Sequence, residues 1–418
     1  MHVLHYYNWG YFTPISCGAD VVASNQLEYF RDRGWDVSCL IADKPSRAHQ
    51  AQAFRERYSW VRSIRLLSHP RAPMTMRAKL LAHLQIAQTE AFGKIAAEGY
   101  DLFFTNYVLT APLVERLPSN CRRLLEAHDL MSEAFGLSEQ VGNTGSDPLA
   151  SAVKSFHLKL EIELYQLFDA VLFINDEERR QVQAVCSVPA FTMPPMMPWE
   201  TQPEENGGSG HSQEESFDLI FVGSGAWMNV RGFTFFYRRI YLPFLRRHRM
   251  RIAIVGAVGD SLEIDDCYVT KVGYVSGSID HYYARAKVVI IPILSGSGLS
   301  IKTIECLAHG RAVVTTPIGA RGLRRDPDAF VQIDMEADPR GTAQVLLDLV
   351  GSASKRKTLQ RNARIYYQAN FGRERYFRRM DQVMEAIGLS SGPKSPRSVL
   401  RGSVATASGH EHSITAAG

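Results

Sequence analysis

The chain has 418 residues, room for two or three domains at roughly 150 residues each. Apolar residues make up 45% and charged residues 22%, ordinary globular values that exclude a disordered, collagenous or coiled-coil chain as a whole. The 47 Lys+Arg against 43 Asp+Glu leave a formal charge of +4, too balanced to announce nucleic acid as a partner.

The N-terminus, MHVLHYYNWG, lacks the basic start and apolar centre of a signal peptide. The apolar run Val288–Leu294 has the size of a strand, well short of the ~20 residues that span a bilayer. Six cysteines (Cys17, Cys39, Cys121, Cys186, Cys267 and Cys306) are scattered, with no C-x-x-C pair, so neither a disulfide nor a metal framework is expected. The chain reads as a soluble, cytoplasmic protein.

In chain order, short β-rich apolar runs alternate with amphipathic stretches. His2–Tyr6, Asp36–Ile41, Leu102–Thr105, Arg123–Ala127 and Ala170–Ile174 read as strands, with helices over Val21–Arg33, Arg77–Glu98 and Leu158–Leu167. Met193–Pro198 (MPPMMP) can continue neither a helix nor a central strand. The Glu-, Gly- and Ser-rich run after it reads as a linker. A second series follows: Leu219–Val222, Arg251–Val255, Val288–Ile293, Ala312–Thr315 and Phe330–Ile333. Runs apolar on both faces and separated by helices predict parallel sheets covered on both sides, hence two α/β doubly wound domains. The expected division is 1–198, a linker at 199–216, a second domain at 217–353, helices at 354–388, and a disordered Ser/Gly/Ala/Thr tail at 389–418.

The segment LSGSGLSIKTIECLAHG, Leu294–Gly310, carries the most chemistry. A glycine-rich turn opens a helix, offering unpaired N–H groups and a positive dipole end to an anion. Lys302 stands in the first turn, where a cation is unfavourable unless something negative binds, and Glu305 shares its face. A diphosphate with sugar hydroxyls would suit this pair; so would a plain turn with an intrahelical Lys–Glu pair. Gly223 and Gly225 (GSG) have Met228 where a dinucleotide fingerprint needs its third glycine, so that fingerprint fails. His128 and Asp129 end a strand (LLEAHD), where open α/β sheets bind ligands. Gly18 would let backbone come close to a ligand. Asn175, followed by three acids, reads as an N-cap. Asp326-Pro327-Asp328 reads as a polar turn, not a metal site, and the His410–His412 triplet gives no metal site either. The arginine-rich Arg238–Arg251 reads as a solvated helix face and leaves room for peripheral contact with an anionic membrane at its inner surface.

The run GSGLSIKTIECLAHGRAVVTT resembles the donor-binding segment of the GT4 family of retaining glycosyltransferases. VGYVSGSIDHYYARAKVVIIPIL, FVGSGAWMNVRGFTFFYRRIYLPFL, ISCGADVVASNQLEYFRDRGWDVSCL, LLEAHD and FDAVLFINDEE are similar to further parts of that family, so the resemblance spans most of 1–387. It implies the GT-B fold, two Rossmann-like domains facing a cleft, with the final helices crossing back onto the first domain. It also implies a hexosyltransferase-like enzyme taking a nucleotide-sugar donor to a glycan, lipid-linked or small-molecule acceptor, as in polysaccharide biosynthesis. On this resemblance His128, Lys302 and Arg231 are the catalytic candidates. Gly18, Gly223, Ser297, Gly298, Leu299 and Glu305 are the donor-binding candidates. No metal is expected. Ser297 stands where the family often has a first glutamate, which touches how the donor sugar is held. A sugar-nucleotide epimerase and a non-catalytic nucleotide-sugar-binding partner are the alternatives.

Overall fold

The structure, a computed structural model, describes residues 1–13, 15, 17–68, 75–132, 148–197, 216–275, 279–296 and 298–389. Ser297, most of the linker, His410–His412 and the tail beyond 389 lie outside the described residues.

Two parallel sheets form. The first holds β1 (His2–Tyr7), β2 (Asp36–Asp43), β3 (Ser63–Ser68), β4 (Leu102–Asn106), β5 (Arg122–Glu126), β6 (Ala170–Phe173) and β7 (Ala190–Thr192). Their order is β3-β2-β1-β4-β5-β6-β7. The second holds β8 (Phe217–Val222), β9 (Ile252–Val255), β10 (Val269–Gly273), β11 (Ala286–Ile291), β12 (Val313–Thr315) and β13 (Val331–Gln332), ordered β10-β9-β8-β11-β12-β13. Each sheet thus runs out from its first strand in one direction and restarts on the other side, so the strand order reverses between β1 and β4, and again between β8 and β11. Crevices open at such reversals, beyond the carboxyl ends of the strands. This is the pair of doubly wound α/β domains that the sequence predicts.

The central strands are buried on both faces, as β4, β6 and β9 are throughout, because helices cover each side. Three strands carry no such run: β3 (SIRLLS), β7 (AFT) and β10 (VTKVG). All three lie at sheet edges, where one flank is open and polar residues are tolerated. The single helix expected over Arg77–Glu98 is two, Met76–Gln88 and Glu90–Ala96. Thr89 breaks it with extended backbone, its hydroxyl accepting from Phe92 N at 3.2 Å as the N-cap of the second piece. Asp326 accepts from the amides of Asp328 and Ala329, so that motif is a turn.

The helix Ala353–Phe371 packs in the core of the second sheet through Leu359, Ala363 and Tyr367. The next one, Arg373–Ala386, buries Tyr376, Phe377 and Met380 against Tyr29 and Phe30 of the first. Asp381 accepts from Tyr29 Oη at 2.9 Å and from two Arg33 nitrogens at 2.8 and 2.6 Å, which holds this helix in place. The earlier crossing lies close by: Met197 N donates to Tyr367 Oη and Met196 N to Asn25 Oδ1, both at 2.8 Å.

The loop after β9 supports the loop after β8. Gly256 adopts φ +97°, and a Cβ there would overlap the Gly223 carbonyl oxygen. Gly256→Ala should therefore lower the unfolding temperature by calorimetry, with left-handed strain alone costing about 1–2 kcal/mol.

Candidate active site

The site lies where the two strand-order reversals face each other. On the second domain, β11 ends in the glycine-rich turn and the helix Ile301–Ala308 follows. That helix has no acid in its first turn and no side-chain cap. The facing helix of the first domain, Gly18–Asp32, differs. Asp20 in its first turn is fully buried, accepts from Arg47 at 2.6 Å and from Tyr7 Oη at 3.0 Å, and supplies that dipole with its own anion.

Lys302 and Glu305 sit side by side on its half-buried face, with Thr303, Ile304, Cys306 and Leu307 turned into the core. Among the described residues Lys302 makes no hydrogen bond or ion pair, so the intrahelical pair considered from sequence does not form as a direct contact. Burial pushes the Lys302 ammonium down, with the Glu305 charge opposing. Burial lifts Glu305 to about 7, against the pull of Lys302 and of Tyr283, whose hydroxyl lies 3.4 Å from Oε1. Two buried groups of opposite charge whose proton affinities are both shifted, on one helix face beside a glycine turn, mark a candidate functional site.

Arg231 lies exposed on the helix Trp227–Phe236, with no partner among the described residues. It is one turn beyond Met228, whose sulfur borders Gly296. Gly223 ends β8 with Phe221 and Asn229 packed against it; Asn229 Nδ2 holds Ser224 O at 2.8 Å. The space that Gly18 leaves is filled by Ile301, whose Cγ1 would lie 2.8 Å from a Cβ there. Its missing side chain thus serves domain contact. Leu299 packs its side chain into the core cluster that also holds Ile174 of the first domain, its Cδ1 lying against Gly322.

His128 has φ +59° and Tyr107 φ +67°, both left-handed. Their rings stack at 4.3 Å and 9°. Strained residues at two neighbouring strand ends are the kind of feature that structure keeps at functional sites. Burial pushes the His128 imidazole down to about 3, so the ring is neutral. Asp129, next in the chain, touches Gly298, which has φ +68° and where any Cβ would overlap Asp129 Oδ1.

Two further residues join here. Glu178, fully buried, accepts from Gly298 N at 3.2 Å and from Arg321 at 3.0 Å. Arg321 also donates to Gly296 O at 3.0 Å. Burial and the Asp129 charge raise Glu178 to about 7. Asn175 caps the helix Asp176–Gln183, accepting from Glu177 N at 2.9 Å. In the sequence the acids after it look like first-turn dipole partners, and nothing there separates Glu178 from its neighbours. Among the described residues no three His, Cys, Asp or Glu side chains gather at metal-binding distance, and no helix is long and apolar enough to cross a membrane.

Residues 216–363 match the family model described as glycosyl transferases group 1. No curated protein matches the chain by sequence. Among solved structures, sucrose-phosphate synthase from Thermosynechococcus elongatus is 17% identical with a TM-score of 0.64, covering 92% of this chain and 98% of that one. TarM of S. aureus is 10% identical with a TM-score of 0.63, over 93% and 99%. HepE of Anabaena, solved with UDP-glucose, is 12% identical with a TM-score of 0.60, over 92% and 100%. The architecture is the two-domain, Rossmann-like GT-B fold.

The clasp at Gly298 is open to test. Gly298→Ala should keep both domains folded but hold them apart, raising the radius of gyration in small-angle scattering and lowering the unfolding temperature slightly. A scattering profile equal to wild type would mean the contact does not set closure.

Proposed function

We propose that the protein is a retaining hexosyltransferase that moves a sugar from a nucleotide-sugar donor, held mainly by the second domain, to an acceptor held by the first. The observation that carries this reading is Lys302, without an ion pair among the described residues, beside Glu305 in the first turns of a helix that has no acid at its start, within the matched segment. UDP-sugars are the first donors to try, because HepE was solved with UDP-glucose. The acceptor would be a glycan, a lipid-linked sugar or a small molecule.

The chemical burden is the charge that grows on the departing diphosphate. Fixed donors aimed at that charge in a dry cleft supply the largest share of rate. Lys302 is the main one, with Arg231 and the amides of the Gly298 turn around it. Glu178 holds the Gly298 amide in the closed form, so a phosphate entering there would displace one carboxylate oxygen. Glu305 accepts from the ribose hydroxyls, which do not change during transfer. His128 stands against the donor sugar on the opposite wall. These groups assign phosphate neutralisation to the chain itself, and the reading includes no metal: activity should survive thorough chelation with EDTA.

Lys302→Ala should lower kcat and kcat/KM together, by about 2.7–4 kcal/mol in activation free energy, the cost of one lost oxyanion donor. Glu305→Gln should mainly raise the donor KM, because it removes binding shared by ground and transition states. Both variants should melt near wild type.

The pH dependence has a definite sign. Glu305, raised to about 7, is partly protonated at neutrality, and the neutral carboxyl accepts from the ribose hydroxyls more weakly than the carboxylate, with one oxygen now a donor. Donor binding should therefore release a proton, and donor KM should fall as pH rises through about 7. Glu305→Gln should flatten that dependence in steady-state assays.

A further inference from the structure

Behind His128 lies a buried polar network that spans three strands. His128 Nε2 is 2.9 Å from Asn106 Oδ1. Asn106 Nδ2 reaches the Tyr6 carbonyl at 3.4 Å and Gln26 Oε1 at 3.1 Å, and Gln26 Nε2 reaches Asn106 Oδ1 at 3.0 Å. Gln26 Oε1 lies 2.7 Å from His5 Nε2. All four side chains are at most 3% exposed, so water cannot substitute for a wrong partner.

One atom fixes the direction of every bond. A backbone carbonyl only accepts, so the Asn106 NH2 must face Tyr6, and its oxygen must face His128 and Gln26. Gln26 then donates through Nε2 to Asn106 and accepts through Oε1. Both histidines therefore meet an oxygen at Nε2 and must donate there. A neutral imidazole with its proton on Nε2 has a bare lone pair on Nδ1.

We propose that Asn106 and Gln26 are positioning residues that lock His128 in the Nε2–H tautomer, so that it offers the cleft an acceptor, its Nδ1 lone pair. Nδ1 of His128 has no hydrogen-bond partner among the described residues, which leaves it for a ligand. Burial keeps both rings neutral, His128 near 3 and His5 near 4, so neither carries a second proton to blur the assignment. Resting on the function above, the lock gives His128 a defined part: it receives a hydrogen bond from a sugar hydroxyl and cannot serve as an acid. The stack on Tyr107 fixes the ring plane and the network fixes its edge.

The test is long-range 1H–15N correlation on 15N-histidine-labelled protein, with the His128 signals assigned by loss in His128→Gln. The expected wild-type pattern is neutral Nε2–H with no titration between pH 5.5 and 8. An Nδ1–H pattern, or an imidazolium near neutrality, overturns the proposal. Asn106→Leu should release the tautomer and lower kcat by roughly ten-fold, about the value of one hydrogen bond. Asn106→Asp keeps an oxygen at Nε2, so it should restore the Nε2–H pattern and part of kcat. Loss of kcat in Asn106→Leu with the tautomer unchanged would count against the lock. If Asn106→Leu does not fold, the wild-type spectrum decides alone. The correct tautomer in a protein that transfers no sugar would refute the function above while supporting the lock.

Discussion

The cleft is organised by an absent side chain. At Gly298 the backbone turns left-handed and leaves room for Asp129, while its amide donates to Glu178. Any other residue there would meet the Asp129 carboxylate before the domains closed. Because one glycine takes contacts from two carboxylates of the other domain, the registry of the two walls is set at this point. His128, one residue before Asp129, is carried to the cleft by the same contact. On the far side, the helix bearing Lys302 and Glu305 starts three residues after Gly298. The catalytic candidates are thus tied to one turn from both directions.

Burial then decides how the charges behave. Asp129, Glu178 and Glu305 are all raised because the cleft withholds water from their ionised forms, and Lys302 is lowered for the same reason. Arg321 offsets part of that cost for Glu178, so this pair holds together in the closed form. Among the described residues Lys302 has no such partner. The two facing helices differ in the same way at their starts: the one starting at Gly18 carries Asp20 in its first turn, while the one starting at Ile301 carries no acid there.

Most of the fold was legible because the nine interior parallel strands must be apolar on both faces, and those runs stood out, with a tenth, Phe330–Ile333, marking the edge strand β13. The edge strands β3, β7 and β10 were not, since an edge position does not require that pattern. The break at Thr89 was hidden because a threonine fits a helix interior by composition while its hydroxyl caps the next turn. Within the site, Lys302, Glu305 and the glycine turn were legible as a local motif within a few residues. Glu178 and Arg321 were not, because their partners lie 120 and 143 residues away along the chain. At Gly18 the sequence suggests close approach of the backbone, but not that Ile301 of the other domain occupies the side-chain space. In each case local chemistry was visible from the residues, and a contact between domains was not.

The two chain crossings have a mechanical consequence. Met197 in the first crossing is hydrogen-bonded to Tyr367, little more than a turn before the second crossing at Gly372. A single strap between two bodies permits twisting as well as swinging. Two straps fastened to each other behave as a door hinge, restricting relative motion to rotation about one line. Any opening about that line would bring the walls that carry His128 and Lys302 back to the same alignment.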